Sequence, residues 1–344
     1  MTSRNRNASP AEPTVRQAIV GRRTWLQAAL MVPLARASSG FAQAAGYPAK
    51  AVKMIIPFPA GGATDYAARS IGVALSELWR QPVVSDNRVG AGSTIGTEIG
   101  AKSPPDGYTL VMGIPAGVTI APHIYPKLGY DPLTDLLPVA GFATSPLVVV
   151  VPADSPFKTF AELVAYARAN PGKLSYASNG SGSLPHLTTE WFLSLAKISM
   201  THVPYRGSAQ ALPDLIAGRT QLMIDIIVSA LPLIEGGKLR ALAVTGAQPT
   251  SRLPNVPTVA SLGYPGFASE QWYGLFVPAG TPEPVVRKLE RDVQAVTQDV
   301  RLRGQMWQRG AEVAYLTASA MQAMVRTDSL RWALIARATG AHAD

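Results

Sequence analysis

Short apolar segments alternate with helical segments along the chain, and this alternation constrains the fold more than any other feature. Apolar segments typical of buried strands lie at residues 52–56, 83–84, 108–112, 146–152, 174–178, 221–225, 239–245 and 271–277. Apolar residues at helical spacing predict helices at residues 66–79, 94–101, 159–169, 184–196, 209–217, 228–235, 282–297, 299–309 and 318–337. Residues 113–138, rich in Gly and Pro, are predicted to be mostly loop. Strand and helix in succession indicate an α/β fold with mostly parallel sheets.

The charge of the chain is unevenly distributed. Six arginines and one glutamate lie within the first 44 residues, so much of the net charge of +9 belongs to the N-terminal segment. The rest carries no basic cluster with interleaved aromatic residues, and we expect no nucleic-acid partner. The chain has no cysteine, which excludes a thiol nucleophile and a thiolate metal site. Its 4 histidines lack the spacing of metal ligands, so we expect no metal.

Three features in order indicate an export signal at the N-terminus. Residues 1–23 are polar and rich in Arg, and residues 25–35 form an apolar run too short to span a bilayer. Ala42-Gln43-Ala44 is typical of a signal-peptidase site, so we expect residues 1–44 to be removed and the mature protein to be periplasmic. The pair Arg22-Arg23 also resembles a twin-arginine signal; the alternative is a general secretory signal whose arginine pair is accidental.

A loop of small residues joins the first predicted strand to the first predicted helix. Pro57 and Pro59 stiffen its entry, and Gly61-Gly62 allows the backbone to approach another group closely. Thr64 or Asp65 is placed to cap the helix that follows. The unpaired N–H groups and the dipole at such a helix start favour a carboxylate or phosphate. The alternative is a tight turn that binds nothing.

Two more loops of small residues precede predicted helices. Ser93 or Thr94 can cap the helix at 94–101, and Ser181-Gly182-Ser183 precedes the helix at 184–196, which carries His186 in its first turn. Asp225 ends a predicted strand. For Ser183, His186 and Asp225, structural roles as cap, first-turn residue and turn residue stand beside ligand contact.

Several short motifs follow one another from Tyr47-Pro48 to about residue 290. They include Pro57–Asp65, Gly90–Gly96, Pro105–Leu110, Asn170–Ser178, Val203–Gly207, Gly237–Thr245, Pro254–Val259 and Trp272–Pro282. Together these motifs resemble those of the tripartite tricarboxylate transporter substrate-binding proteins, the Bug or TctC family. The resemblance covers almost the whole of the expected mature chain.

This resemblance implies a two-domain Venus flytrap fold, with helices on both sheet faces and two crossover strands as the hinge. By likeness, residues 45–145 with 270–344 form one domain, and residues 146–269 form the other. The resemblance also implies a monomeric binding protein without catalysis or cofactor. It implies a small organic carboxylate as ligand and membrane transporter subunits as partners.

The positions that match ligand-binding positions of the family carry mostly neutral donors. They are Phe58, Ala60, Gly61, Gly62, Asp65, Ser93, Thr94, Ser181, Gly182, Ser183, His186 and Asp225. Two segments depart from the family by carrying apolar residues, Gly113–Gly117 and Ile226–Val228. Both departures suggest a ligand less polar than citrate.

Two other functions compete with transport. Ser183, His186 and Asp225 could form a hydrolytic triad, but no Gly-x-Ser-x-Gly elbow follows a predicted strand. A sensory binding protein that presents its ligand to a membrane kinase would have the same sequence features as a transport receptor.

Overall fold

The computed structural model describes residues 46–343; the predicted leader, with Arg22, Arg23, Ala42 and Ala44, lies outside them. Its strands are β1 Val52–Ile56, β2 Val83–Asn87, β3 Thr109–Gly113, β4 Leu136–Pro152, β5 Ser175–Ser178, β6 Thr201–Pro204, β7 Leu222–Ile226, β8 Leu239–Val244, β9 Glu270–Pro278 and β10 Glu312–Leu316. Its α-helices are α1 Ala63–Trp79, α2 Thr94–Ala101, α3 Ala121–Ile124, α4 Phe160–Ala169, α5 Leu184–Ala196, α6 Ser208–Ile216, α7 Ile227–Glu235, α8 Glu283–Val296, α9 Val300–Gln308 and α10 Ala318–Thr339. A π-helical turn, Ala116–Ile120, precedes α3.

The strands form one continuous sheet in the order β2-β1-β3-β9-β4-β7-β5-β6, with β8 and β10 also paired to β4. Strand β1 is parallel to β2 and β3, and β5 is parallel to β6 and β7. Strands β4 and β9 supply the antiparallel pairs at the centre. The α/β class with mostly parallel sheets is thus confirmed.

Strand β4 joins the two halves of this sheet. Its first part, from Leu136 to Pro146, pairs with β9, and its last part, from Leu147 to Pro152, pairs with β7 and β8. The prediction of a strand limited to 146–152 was therefore too short. The predicted loop at residues 113–138 ends in Pro138, yet the strand passes through Pro138 and Gly141, and its register with β9 shifts beside each of them.

Helices cover both faces of the sheet, as the burial along β4 shows. Leu147, Val149 and Val151 pack into one apolar cluster, whereas Val148 and Val150 pack into another. Successive side chains of a strand point to opposite faces, so a continuous apolar run fits a strand covered on both sides. No helix between residues 46 and 343 is both long enough and apolar enough to cross a bilayer.

Candidate functional site

Three helices begin at one crevice beside the central strands. The N-terminal residues of α1, α5 and α6 line it, together with the loop before α1 and the ends of β3, β5 and β7. The space between its atoms is about 440 Å³ with open solvent included, of which only about 20 Å³ admits the centre of a water molecule, so the crevice is narrow. Its lining residues are Phe58, Pro59, Ala60, Gly62, Ala63, Thr64, Ile114, Ala116, Asn179, Leu184, Pro185, Gly207, Ser208, Ala209, Ile226 and Gln271. None of these side chains is charged.

The loop before α1 places the start of that helix at the crevice. Gly62 is the N-cap, and no side chain caps it, so the prediction that Thr64 or Asp65 caps α1 was wrong. Gly61 has φ +83°, a left-handed conformation that glycine adopts without strain. Without a side-chain cap, the first N–H groups of α1 remain available to a ligand.

Asp65 holds this loop in place from inside α1. Its carboxylate accepts hydrogen bonds from the Gly61 N–H at 3.0 Å, from Arg69 Nε at 2.9 Å and from Asn87 Nδ2 at 2.9 Å. Burial acts to raise the pKa of Asp65, but these hydrogen bonds outweigh it and hold the pKa below its usual range. The carboxylate therefore stays ionised and fixes Gly61 and Arg69.

The second predicted loop adopts an unusual backbone. Gly90, Ala91, Gly92 and Ser93 have φ values of +136°, +42°, +58° and +92° in succession. Two of the four are not glycine, and such strain concentrates at functional sites. The Ser93 hydroxyl is buried and has no hydrogen-bond partner among the described residues, whereas Thr94 Oγ1 donates to the Ala91 carbonyl at 2.9 Å.

A groove adjoins the crevice on the side of this second loop; we call it the Ser93 groove. It is lined by the residues Pro57, Phe58, Pro59, Val89, Gly90, Ala91, Gly92, Ser93, Tyr125, Asn179, Gly180, Ser181, Tyr205 and Arg206. Phe58, Pro59 and Asn179 also line the crevice, so the two spaces are contiguous.

The third predicted loop is held together by its own hydrogen bonds. Ser183 caps α5 by accepting from the His186 N–H, and its hydroxyl donates to the Gly180 carbonyl at 2.6 Å. His186 Nδ1 accepts from the Gly182 N–H at 3.2 Å. The cap predicted for Ser183 is confirmed. The donors of Gly182 and Ser183 are therefore used within the loop. Of the residues predicted for the site in this loop, Ser181 lines an open space.

His186 stacks on a second histidine. Its ring lies 4.2 Å from the ring of His202, which in turn lies 4.8 Å from the ring of Tyr176. Burial, followed by the neighbouring His202, lowers the pKa of His186 to about 3, and burial lowers the pKa of His202 to about 4. Both rings are therefore neutral near pH 7 and form part of the packing behind the third loop.

Asp225 lies beneath the crevice at the end of β7, with an exposed fraction of 0%. Its Oδ1 accepts from Ser208 Oγ at 2.9 Å and from Asn179 Nδ2 at 3.1 Å. Ser208 and Asn179 both line the crevice, so Asp225 orients two of its polar side chains. Burial raises the pKa of Asp225 to about 6, against the effect of these hydrogen bonds.

Asp225 also leaves one atom unpaired. Its Oδ2 and the buried hydroxyl of Tyr273 have no hydrogen-bond partner among the described residues. The charge of Asp225 adds to burial in raising the pKa of Tyr273, so the two groups influence each other. An unsatisfied carboxylate oxygen is costly in the interior, which favours the protonated form of Asp225.

The structure sorts the residues predicted for the site. Phe58, Ala60 and Gly62 line the crevice, and Ser93 and Ser181 line the Ser93 groove. Gly61 and Asp65 lie at a groove along α1 that also borders the crevice. The predicted residues that line none of these three spaces are Thr94, Gly182, Ser183, His186 and Asp225.

Ser183, His186 and Asp225 do not connect as a hydrolytic triad. The hydrogen bonds of Ser183 and of His186 Nδ1 go to the backbone of their own loop, and those of Asp225 go to Ser208 and Asn179. A triad of this kind requires a serine hydroxyl that donates to a histidine nitrogen.

Sequence reasoning missed several polar residues of the crevice. Asn179, Ser208 and Gln271 come from three distant parts of the chain and meet only because β5, β7 and β9 belong to one sheet. Only Asn179 has a local signal in the sequence, because it lies two residues before the predicted Ser181-Gly182-Ser183 loop.

The arrangement suits a small anion with an apolar body. Helix N-termini offer N–H groups and partial positive charge, and Thr64, Asn179, Ser208 and Gln271 add neutral polar groups. Phe58 and the other apolar lining residues provide the walls that small-molecule pockets usually have.

Comparison with known proteins places the chain in a family. The profile described as "Tripartite tricarboxylate transporter family receptor" matches residues 67–341. Protein BugT of Bordetella pertussis is 36% identical over 296 residues, which are 86% of this chain and 91% of BugT.

Solved structures of similar proteins share the fold. Rpa4515 of R. palustris, solved with adipate, is 37% identical with a TM-score of 0.83, covering 86% of this chain and 98% of that one. The periplasmic binding protein BugD is 35% identical with a TM-score of 0.82, covering 86% and 99%. MatC from Rhodopseudomonas palustris with bound malate is 32% identical with a TM-score of 0.79, covering 84% and 99%. The chain therefore belongs to the tripartite tricarboxylate transporter receptor family, the Bug or TctC family of periplasmic binding proteins.

Proposed function

We propose that this protein is an exported receptor that binds a small organic acid and delivers it to a tripartite tricarboxylate-type membrane transporter. The observation that carries the proposal is the start of α1, α5 and α6 at one uncharged crevice. A carboxylate there would be held by neutral donors and helix dipoles, without an arginine or lysine. The bound acids of Rpa4515 and MatC, adipate and malate, belong to the same chemical class.

The proposed seat for the carboxylate is formed by the starts of α1 and α6. Neither helix has a side-chain cap at its N-cap residue, Gly62 or Gly207. At the third loop, by contrast, the Gly182 N–H and the Ser183 hydroxyl are already used. Pro59, in the loop before α1, lies close to the start of α6: a Cβ added at Gly207, the N-cap of α6, would lie 3.4 Å from the Pro59 ring.

Two lobes would close around this crevice. We propose residues 45–145 with 270–344 as one lobe and residues 146–269 as the other, with β4 and β9 as the crossing strands. The change of partners along β4, from β9 to β7 and β8 near Leu147, supports this division. The protein would act as a monomer and without catalysis, since the family is one of solute-binding proteins.

Calorimetry with matched ligands tests the carboxylate seat. We expect adipate or malate to bind the purified protein, and the corresponding uncharged diamide to bind at least about tenfold more weakly. The amides keep the length and most hydrogen-bonding groups of the acids, so the comparison isolates the negative charge. Equal affinity for acid and amide would contradict the proposal.

Export is tested separately. If residues 1–44 are a leader, the first residue of the periplasmic protein is Ala45, which N-terminal sequencing identifies. Replacement of Arg22 and Arg23 by Lys should block export along the twin-arginine route. Unchanged export of that variant would assign the general secretory route.

A further inference from the structure

A second groove leaves the crevice along α1. It shares Gly62, Ser208 and Ala209 with the crevice, so a molecule seated at the helix starts can extend into it. Its apolar wall comes from α6 and α7 and includes Leu212, Pro213, Val228, Pro232 and Leu233. Two arginines line it on the other side, and we call it the Arg309 groove.

The two arginines differ in what they already bind. Arg69 is engaged with Asp65 at 2.9 Å and with Asn87 at 3.0 Å. Arg309 has no carboxylate within 4.0 Å among residues 46–343. Its charge is therefore available to a ligand, whereas that of Arg69 is already neutralised.

The guanidinium of Arg309 is also held in position. It lies 5.3 Å from the centre of the Tyr66 ring, a cation–π arrangement, and the Tyr66 hydroxyl donates to the Gln305 carbonyl at 2.8 Å. Arg206, the arginine of the Ser93 groove, makes no hydrogen bond, ion pair or cation–π contact with the described residues. A charge that is already positioned costs less conformational entropy when it binds.

The spacing along α1 fits an extended diacid. Tyr66 lies four residues beyond Gly62, which is about 6 Å along a helix that rises 1.5 Å per residue. An extended chain advances about 1.2 Å per bond, so the carboxyl carbons of a six-carbon diacid, five bonds apart, are separated by about 6 Å. Its methylenes would then lie against the apolar wall of the groove.

We propose that Arg309 determines specificity by binding the second carboxylate of an extended dicarboxylic acid. The first carboxylate occupies the starts of α1 and α6, so the inference rests on the proposed function. The groove thus makes the receptor selective for a diacid over the monoacid of equal length.

Calorimetry at low ionic strength with adipate and hexanoate tests this assignment. We expect the wild-type protein to prefer adipate by about threefold to tenfold, the range for a partly exposed charge pair with hydrogen bonds. Arg309→Gln should abolish the preference by weakening adipate binding and should leave the Kd of hexanoate unchanged. Added salt should reduce the preference of the wild type.

Two arginine variants complete the experiment. Arg326→Gln removes the same charge from α10, away from the crevice and both grooves, and should leave both Kd values unchanged. A preference that survives Arg309→Gln, or that is lost in Arg206→Gln instead, would overturn the assignment while leaving the carboxylate seat intact. Failure of hexanoate and of every diacid from four to eight carbons to bind would remove both proposals together, whereas binding of hexanoate without any diacid would remove only the assignment of Arg309.

Discussion

Asp225 does not line the crevice, but its charge acts on the crevice through Ser208 and Asn179, which donate hydrogen bonds to it. Its pKa is raised to about 6, so it changes from almost fully ionised to about half protonated as the pH falls from 8 to 6. An anion bound near Ser208 and Asn179 disfavours the ionised form and raises this pKa further. Binding must then be accompanied by proton uptake, which makes affinity increase as the pH falls.

We therefore predict that the Kd for malate falls by at least about threefold between pH 8 and pH 6. Asp225→Asn keeps the size of the side chain and removes its titration, so its affinity should vary less over the same range. The comparison of the two proteins by calorimetry cancels any protonation of the ligand itself. An identical pH dependence in both would mean that Asp225 does not sense the ligand.

His186 gives a prediction about stability instead. Its pKa is about 3 when folded and about 6.5 when unfolded, so the unfolded chain binds more protons between these values. The contribution of His186 to the free energy of unfolding is then fully present above pH 6.5, and it is lost as the pH falls toward 3. From pH 7 to pH 5 the loss amounts to about 2 kcal/mol for this single histidine.

Urea denaturation of the wild type and of His186→Phe at pH 7 and pH 5 measures this effect. We expect the wild type to lose about 2 kcal/mol more than the variant between the two pH values. Asp225 contributes with the opposite sign, because its raised pKa makes the folded state bind more protons, but it does so equally in both proteins. Equal losses would show that His186 is protonated without cost in the folded state.

Single residues also show where prediction from sequence ended. The helix start at Ser183 was predictable because a serine that precedes an amphipathic segment is a strong local signal. That Ser208 and Asn179 meet above Asp225 had no such signal, since it depends on how β5 and β7 pair. The predicted ligand contacts of Gly182, Ser183 and His186 stay predictions, although their hydrogen bonds are used within the loop.

At the scale of elements, the loop before α2 gives the sharpest test. A Cβ at Gly92 would lie 2.8 Å from the Ser181 carbonyl oxygen and 2.8 Å from the Tyr125 hydroxyl. The second and third loops can therefore meet only because this residue lacks a side chain. Gly218 has a similar left-handed φ of +72°, but a Cβ there would have nothing within 4 Å.

We predict that Gly92→Ala and Gly218→Ala each lower the free energy of unfolding by roughly 1–2 kcal/mol, the cost of holding alanine in the left-handed conformation. Only Gly92→Ala should also bind malate more weakly. Thermal unfolding and calorimetry on the two variants separate strain from steric conflict. Unchanged binding by Gly92→Ala would show that the two loops need not touch when the ligand is bound.

Elements with strong apolar patterns were predicted well, and those without them were not. Strand β1 and helix α5 have the predicted bounds. Strand β10 was missed because its burial is only partial and its sequence begins with Glu312, while β2 extends beyond Val84 through the polar residues Ser85–Asn87. Such strands are stabilised by a neighbouring strand rather than by their own pattern.

At the scale of the whole molecule, Trp307 contacts the part of the chain proposed as the other lobe. Its Nε1–H donates to Ser251 Oγ at 3.1 Å, and the Arg252 guanidinium lies 4.7 Å from the centre of its ring. Trp307 lines none of the spaces at the crevice. If the lobes separate when the ligand leaves, these contacts stabilise the arrangement that retains it.

We predict that Trp307→Ala raises the dissociation rates of adipate and malate by the same factor, about fivefold, with association little changed. Stopped-flow measurement of both acids tests this. The equal factor distinguishes a contact between lobes from a contact with ligand, which would affect the two acids differently. An unchanged dissociation rate would assign Trp307 to the surface alone.

The pairing of β4 has a consequence for how the protein unfolds. Because β4 is a single strand of 17 residues whose first part pairs in one half of the sheet and whose last part pairs in the other, the two halves are joined through its backbone. The backbone amides of Val148–Val150 should therefore be among the slowest in the protein to exchange with deuterated water, and should exchange only when the entire chain unfolds. A receptor that opens and closes around its ligand would thus keep, at its pivot, the part of its backbone that opens least.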